Sequence, residues 1–277
     1  MLKMWIYDGM VYVYTLSLLC HFSGFVENKR KVIQLGTGLL VFVWILKTLL
    51  FIWRLVERGE FPVISMFETL FFTSWLFLTV ALICHLFLRL DMLLILINAA
   101  GFTVFTVGLF SDRQTEPTLS GWEVADDLLF VHITLAIASY AFLFISALFA
   151  GMYLFLHRQL KRKKWTQVIR KLPGLGTIDR YSMRFLVIGL PMLFLSVILG
   201  IVWIILNGDI HLLYDVKVVN SLLILLVYSF CFVQRFGRYA PQYKLAWWNL
   251  AAFAFVVANF IVSNYLSGFH QWIWMSV

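Results

Sequence analysis

Three of the six histidines, His132, His211 and His270, fall at or just beyond the ends of long apolar runs, on the side away from the basic flanks of those runs. A boundary imidazole can ionise, bind a metal ion or ligate haem without the full cost of burying a charge in hydrocarbon. His132 and His270 share one depth, and two neutral imidazoles facing each other across a cleft are the usual hold on a b-type haem whose propionates reach water. The plainer use of such residues, as interfacial anchors with a polar tip, stands beside that one. His21 and His85 follow cysteines, giving Cys20-His21 and Cys84-His85 near the other ends of the first and third runs. Four N/S donors suggest a metal site. Neighbours on a helix point about 100° apart, however, so both members of a pair cannot easily aim at one ion. Hydrogen-bonded packing is the simpler role, and a haem contact the alternative.

Two further ionisable residues stand inside apolar runs, where each needs a partner. Lys47 lies seven residues before Arg54 at the end of the second run, and Glu68 lies six after Pro62 at the start of the third. On consecutive antiparallel helices both are then about 10 Å deep. The expected arrangement is a structural ion pair between Lys47 and Glu68, since an uncompensated charge at that depth is expensive. A proton relay is the second use of the same pair.

The elements that position these residues follow from composition. With 62% hydrophobic, 18% aromatic and 13% charged residues, the chain is expected to be a polytopic membrane protein without a sizeable soluble domain. Apolar runs cover residues 4–26, 32–53, 62–88, 92–110, 128–156, 185–206, 216–233 and 245–267. Leu19 is too large to precede a lipoprotein-type cleavage at Cys20, so the first run is read as a retained helix. The run 128–156 makes a helix of roughly 43 Å, longer than a hydrocarbon core of about 30 Å. It is followed by Arg158, Lys161, Arg162, Lys163 and Lys164 and preceded by an acidic loop at 112–127. Cationic loops stay cytoplasmic, so the basic end is inside and His132, about 36 Å away along the axis, is at the outer headgroup level. Lys29, Arg30 and Lys31 after the first run, Arg89 after the third, and Arg235, Arg238 and Lys244 after the seventh repeat the pattern.

The fold class is therefore an all-α integral membrane protein with eight transmembrane helices, N-out and C-out. It forms one polytopic domain over residues 1–277. The net charge of +8 is explained by these loops, and no nucleic-acid partner is read from it. The basic inner loop can meet anionic membrane lipid. Three cysteines, all in apolar runs, provide no CxxCH element, so the chain is not itself a c-type cytochrome. Trp5, Trp53, Trp122, Trp272 and Trp274 mark outer boundaries as an aromatic belt. A proton-coupled transporter using Lys47 and Glu68 would need paired Gly/Pro interruptions in the two halves, and the sequence lacks them.

The stretches VHITLAIASYAFLFISALFAGMYLFLHRQLK, LPGLGTIDRYSMRFLVIGLPMLFLSVILGIVW and SNYLSGFHQW, with FPVISMFETLFFTSW earlier, resemble the cytochrome c assembly protein family, the CcsA group of eight-span haem-handling proteins. Coverage is essentially the whole chain and strongest over 62–270. The resemblance implies that His132 and His270 are axial ligands of haem b. It also implies that Trp203 and Asp215, at the two ends of the loop between the sixth and seventh runs, lie against the haem edge. That loop, WIILNGDIHLLYDVKV, keeps only Asp215 and Lys217 of the closing Trp-Asp-Pro-Lys-Glu of the haem-transferring members. His211 matches no family ligand. The stretch YSFCFVQR lacks the histidine those members carry there. The pattern is most similar to the HemX branch. It implies no catalytic constellation, a regulatory role in haem biosynthesis through the level of glutamyl-tRNA reductase, and, as the alternative, a cytochrome c assembly factor with an assembly partner.

Overall fold

The computed structural model describes residues 2–58, 65–88, 90–110, 124–163, 169, 171–208, 210–237 and 240–266. These residues form helices and turns with no strand among them. Among the described residues eight helices are long and apolar enough to cross a bilayer. They are α1 (Leu2–Glu27), α2 (Arg30–Arg58), α3 (Met66–Leu88), α4 (Asp91–Leu109), α5 (Val124–Lys161), α6 (Leu175–Leu206), α7 (Val216–Phe236) and α8 (Gln242–Leu266). In hydrocarbon a backbone must satisfy its own polar groups, which these helices do internally. Where the sequence suggests one domain, the helices divide into two compact units, α1–α4 within Met1–Leu119 and α5–α8 within Ser120–Trp272.

Within the first unit, α1 and α2 form a hairpin. Asn28 takes φ 58° and the Lys29 amide donates to the Gly24 carbonyl at 3.0 Å, a left-handed helix stop that needs no glycine because asparagine tolerates it. Helices α2 and α3 are clasped by reciprocal bonds, Trp44 Nε1 to Thr79 Oγ1 and Trp75 Nε1 to Thr48 Oγ1, each 2.9 Å. Phe42, Ile45, Leu49 and Ile52 of α2 are exposed, as a lipid-facing side requires.

In the second unit α6 begins ten residues before the expected start at 185. Pro173 and Gly174 stop the preceding chain, and Gly174 is the residue before the first helical turn. The polar residues between 175 and 184 therefore extend the helix beyond its apolar part. Residues 164–168 and 170 of the basic inner loop lie outside the described residues.

Helices α5 and α6 pack antiparallel along a seam of small and polar residues. Ser146 Oγ donates to the Ser182 carbonyl at 2.8 Å and Ser182 Oγ returns a bond to the Ser146 carbonyl at 3.0 Å. Ser139 Oγ donates to the Gly189 carbonyl at 3.0 Å, and His132 meets Ser196. The contacting positions recur every seven residues on both helices, the period that keeps one face of a helix against its partner. Small residues let backbones approach closely in lipid, where interhelical hydrogen bonds supply part of the attraction. Asn249 of α8 ties into the same seam, donating to Ser146 Oγ at 2.8 Å.

Candidate haem-ligand site

His132 stands on α5 at the last contact of that seam. Its Nδ1 lies 2.6 Å from the Ser196 carbonyl oxygen, so Nδ1 carries the proton and donates. Ser196 Oγ donates in turn to the His132 carbonyl at 3.1 Å. The imidazole lies against Gly200 of α6: a Cβ built there would sit 2.7 Å from Cε1 and 2.9 Å from Nδ1. Nε2 makes no hydrogen bond to any described residue.

A ring held at Nδ1 by a carbonyl, with its Nε2 lone pair open, has the tautomer and fixed orientation of an axial ligand. The chemistry of the His132 side therefore fits a haem iron. Haem bound there would supply an iron centre that takes the imidazole nitrogen. His270, its expected partner, lies outside the described residues.

Trp203 follows Ser196 and Gly200 at helical spacing, on the same face of α6. Asp215 caps α7, its side chain accepting from the Lys217 amide at 2.8 Å. That is a structural duty sequence reading missed, although Asp before an apolar helix is a standard start signal. His211 is exposed in a short 3-10 turn, Ile210–Tyr214.

The remaining expected centres resolve differently. His21 is buried with both nitrogens engaged: Nδ1 is 2.8 Å from the Ser17 carbonyl and Nε2 is 3.2 Å from Thr37 Oγ1. Among the described residues no group of three or more His, Cys, Asp or Glu side chains is arranged to hold a metal ion. The Cys-His pairs therefore build no metal site there.

Lys47 and Glu68 do not pair with each other. Glu68 accepts from Arg54 Nη1 at 3.2 Å, and Arg54 Nη2 donates to Tyr7 Oη at 3.0 Å. Helix α3 begins at Met66 rather than Pro62, which leaves Glu68 at the helix mouth, level with Arg54, instead of two turns inside. Glu68 also completes a capping box. Its amide donates to Ser65 Oγ at 3.2 Å and its carboxylate accepts from the Ser65 amide at 3.4 Å. The Ser-x-x-Glu spacing was present in the sequence as the signal. Lys47, two turns deeper and fully buried, donates to Ser74 Oγ at 2.5 Å and lies 3.9 Å from the centre of the Phe105 ring. The rings of Tyr14 and Phe71 stand nearby at 5.4 and 5.5 Å.

Eight helices among the described residues, each long and apolar enough to cross a bilayer, make this a multi-pass membrane protein. The chain belongs to the cytochrome C assembly protein family, whose model matches residues 63–270. It is similar to Protein HemX of Brevibacillus brevis, 38% identical over 97% of this chain and 98% of the relative. It is also similar to Protein HemX of Bacillus subtilis (strain 168), 32% identical over 95% of each. Cytochrome c biogenesis protein CcsA of Guillardia theta is 26% identical over 94% of this chain and 93% of its own.

Proposed function

We propose that the chain is a HemX-like, haem-binding protein of the bacterial cytoplasmic membrane that regulates haem biosynthesis by setting the level of glutamyl-tRNA reductase. The observation that carries this reading is the His132 imidazole, anchored through Nδ1 on the Ser196 carbonyl with Nε2 left open. The near full-length similarity to two HemX proteins supports it. In this reading His132 and His270 are the axial ligands of haem b at the outer face. Trp203 covers an edge of the macrocycle, and Asp215 holds the loop that approaches it. The protein binds and signals rather than catalyses.

An assembly factor that passes haem to an apocytochrome is the second reading, favoured by the CcsA similarity. The commitment of Asp215 to capping α7 favours the first.

The test is the absorbance spectrum of protein purified from haem-replete membranes, read together with reductase abundance in cells carrying wild type or His132→Ala. A haem spectrum lost in the variant, with altered reductase level, supports the reading. Restored cytochrome c assembly in a deficient cell supports the second. The proposed orientation is N-out and C-out, so reporters fused at Glu116 and Lys164 should report opposite sides.

A further inference from the structure

We propose that Gly200 is a positioning residue for His132: with no side chain there, the imidazole can lie against α6, hold Nδ1 on the Ser196 carbonyl and leave Nε2 as the only nitrogen able to meet a metal. The inference rests on the reading of His132 as a haem ligand and adds the residue that sets its geometry. Ser196 and Gly200 are one helical turn apart on α6, so both face the same patch of α5. The hydrogen-bond acceptor and the space for the ring are thus built into one surface.

The distances make the requirement steric. A Cβ at 200 would stand 2.7 Å from Cε1, 2.9 Å from Nδ1 and 3.4 Å from Nε2. Regaining ordinary contact at about 3.5 Å forces the ring away from α6. That helix also carries its hydrogen-bond partner, so a ring that makes room lengthens and weakens its 2.6 Å bond to Ser196. Released from Ser196, the imidazole samples both tautomers and several orientations, and its Nε2 lone pair is no longer fixed. The scaffold itself need not fail, because the conflicting atoms belong to a side chain with rotamers available.

Gly189, three turns earlier on α6, provides the control. A Cβ there meets Leu143 Cγ at 3.0 Å and Phe142 Cβ at 3.2 Å, a packing conflict on the same seam that does not touch His132. Ser196→Ala is a second comparison, since it removes a hydroxyl but leaves the carbonyl that holds Nδ1.

The experiment measures the full-length protein in two ways. Nitrogen NMR of histidine-labelled protein without haem should show His132 as the Nδ1–H tautomer in wild type, Ser196→Ala and Gly189→Ala, and mixed tautomers in Gly200→Ala. Haem retention should fall roughly tenfold or more in Gly200→Ala, the usual cost of losing the outer partner of a metal-bound histidine. Unchanged tautomer and unchanged haem spectrum in Gly200→Ala overturn the inference. A wild type without haem refutes the proposed function instead, and the NMR result still decides the role of Gly200. Where Gly200→Ala does not accumulate, the double variant with His132→Ala decides. Recovery on removing the ring supports the cradle, and no recovery overturns it.

Discussion

His21 in the first unit and His132 in the second are built by the same device and end in opposite states. Each stands on the first helix of an antiparallel pair, and each ring rests on a glycine of the second. A Cβ at Gly36 would lie 2.9 Å from His21 Nδ1, as one at Gly200 would from His132 Nδ1. Each Nδ1 donates to a serine carbonyl, His21 at 2.8 Å to Ser17 on its own helix and His132 at 2.6 Å to Ser196 on the partner helix. The second nitrogens differ as well. Thr37 engages that of His21, whereas that of His132 meets no described residue. A histidine opposite a glycine is therefore a packing motif in itself, and only a ring whose second nitrogen stays unengaged, as in His132, has a lone pair to offer a metal.

The largest expected effect separates the two rings. His132→Ala should abolish bound haem while leaving the helices intact. His21→Ala should leave haem unchanged and lower stability by about 1–3 kcal/mol, the cost of stranding buried partners, measurable as earlier loss of helical signal in a denaturant titration. A haem loss in His21→Ala equal to that in His132→Ala would erase the distinction. Acid should separate them as well. Protonation of Nε2 competes with iron, so haem should leave as pH falls and return when pH is raised.

The next effect lies in the first unit alone. Removing Arg54 takes the charged partner from the buried Glu68 carboxylate, and losing one partner of such a pair costs about 3–5 kcal/mol. Arg54→Ala and Glu68→Gln together should cost clearly less than the sum of the two changes. Additive losses would show that the 3.2 Å contact contributes nothing. In the second unit, Asn249→Leu should cost about 1–3 kcal/mol, because it removes the donor shared by Ser146 and Ser182. The smallest effect is expected for Lys47→Met. A buried amine without a carboxylate is replaced by an apolar chain of similar length, while Ser74 Oγ keeps its 2.6 Å bond to the Gly101 carbonyl. Stability should stay within about 1.5 kcal/mol of wild type.

The sequence made some of this legible and hid the rest for physical reasons. Length and apolarity announce the eight spans because lipid permits few alternatives. His132 was visible as a boundary imidazole, and the family motifs singled it out. Gly200 and Ser196 were not, since nothing in a linear pattern says which turn of α6 meets which turn of α5. The seven-residue recurrence of Ser139, Ser146, Ser182 and Gly189 was available as a signal. It was masked by the apolar residues around it. The pairing of Lys47 with Glu68 failed for a related reason. Hydropathy begins α3 at Pro62, but the capping box begins it at Met66, and four residues of helix are about 6 Å of depth.

The absorbance spectrum of the purified full-length protein, compared among wild type, His132→Ala and His211→Ala, tests the central claim most directly. A haem spectrum in wild type and His211→Ala that is lost in His132→Ala is the predicted result. An unchanged spectrum and stoichiometry in His132→Ala, or no haem in wild type, would contradict the assignment of His132 as the ligand.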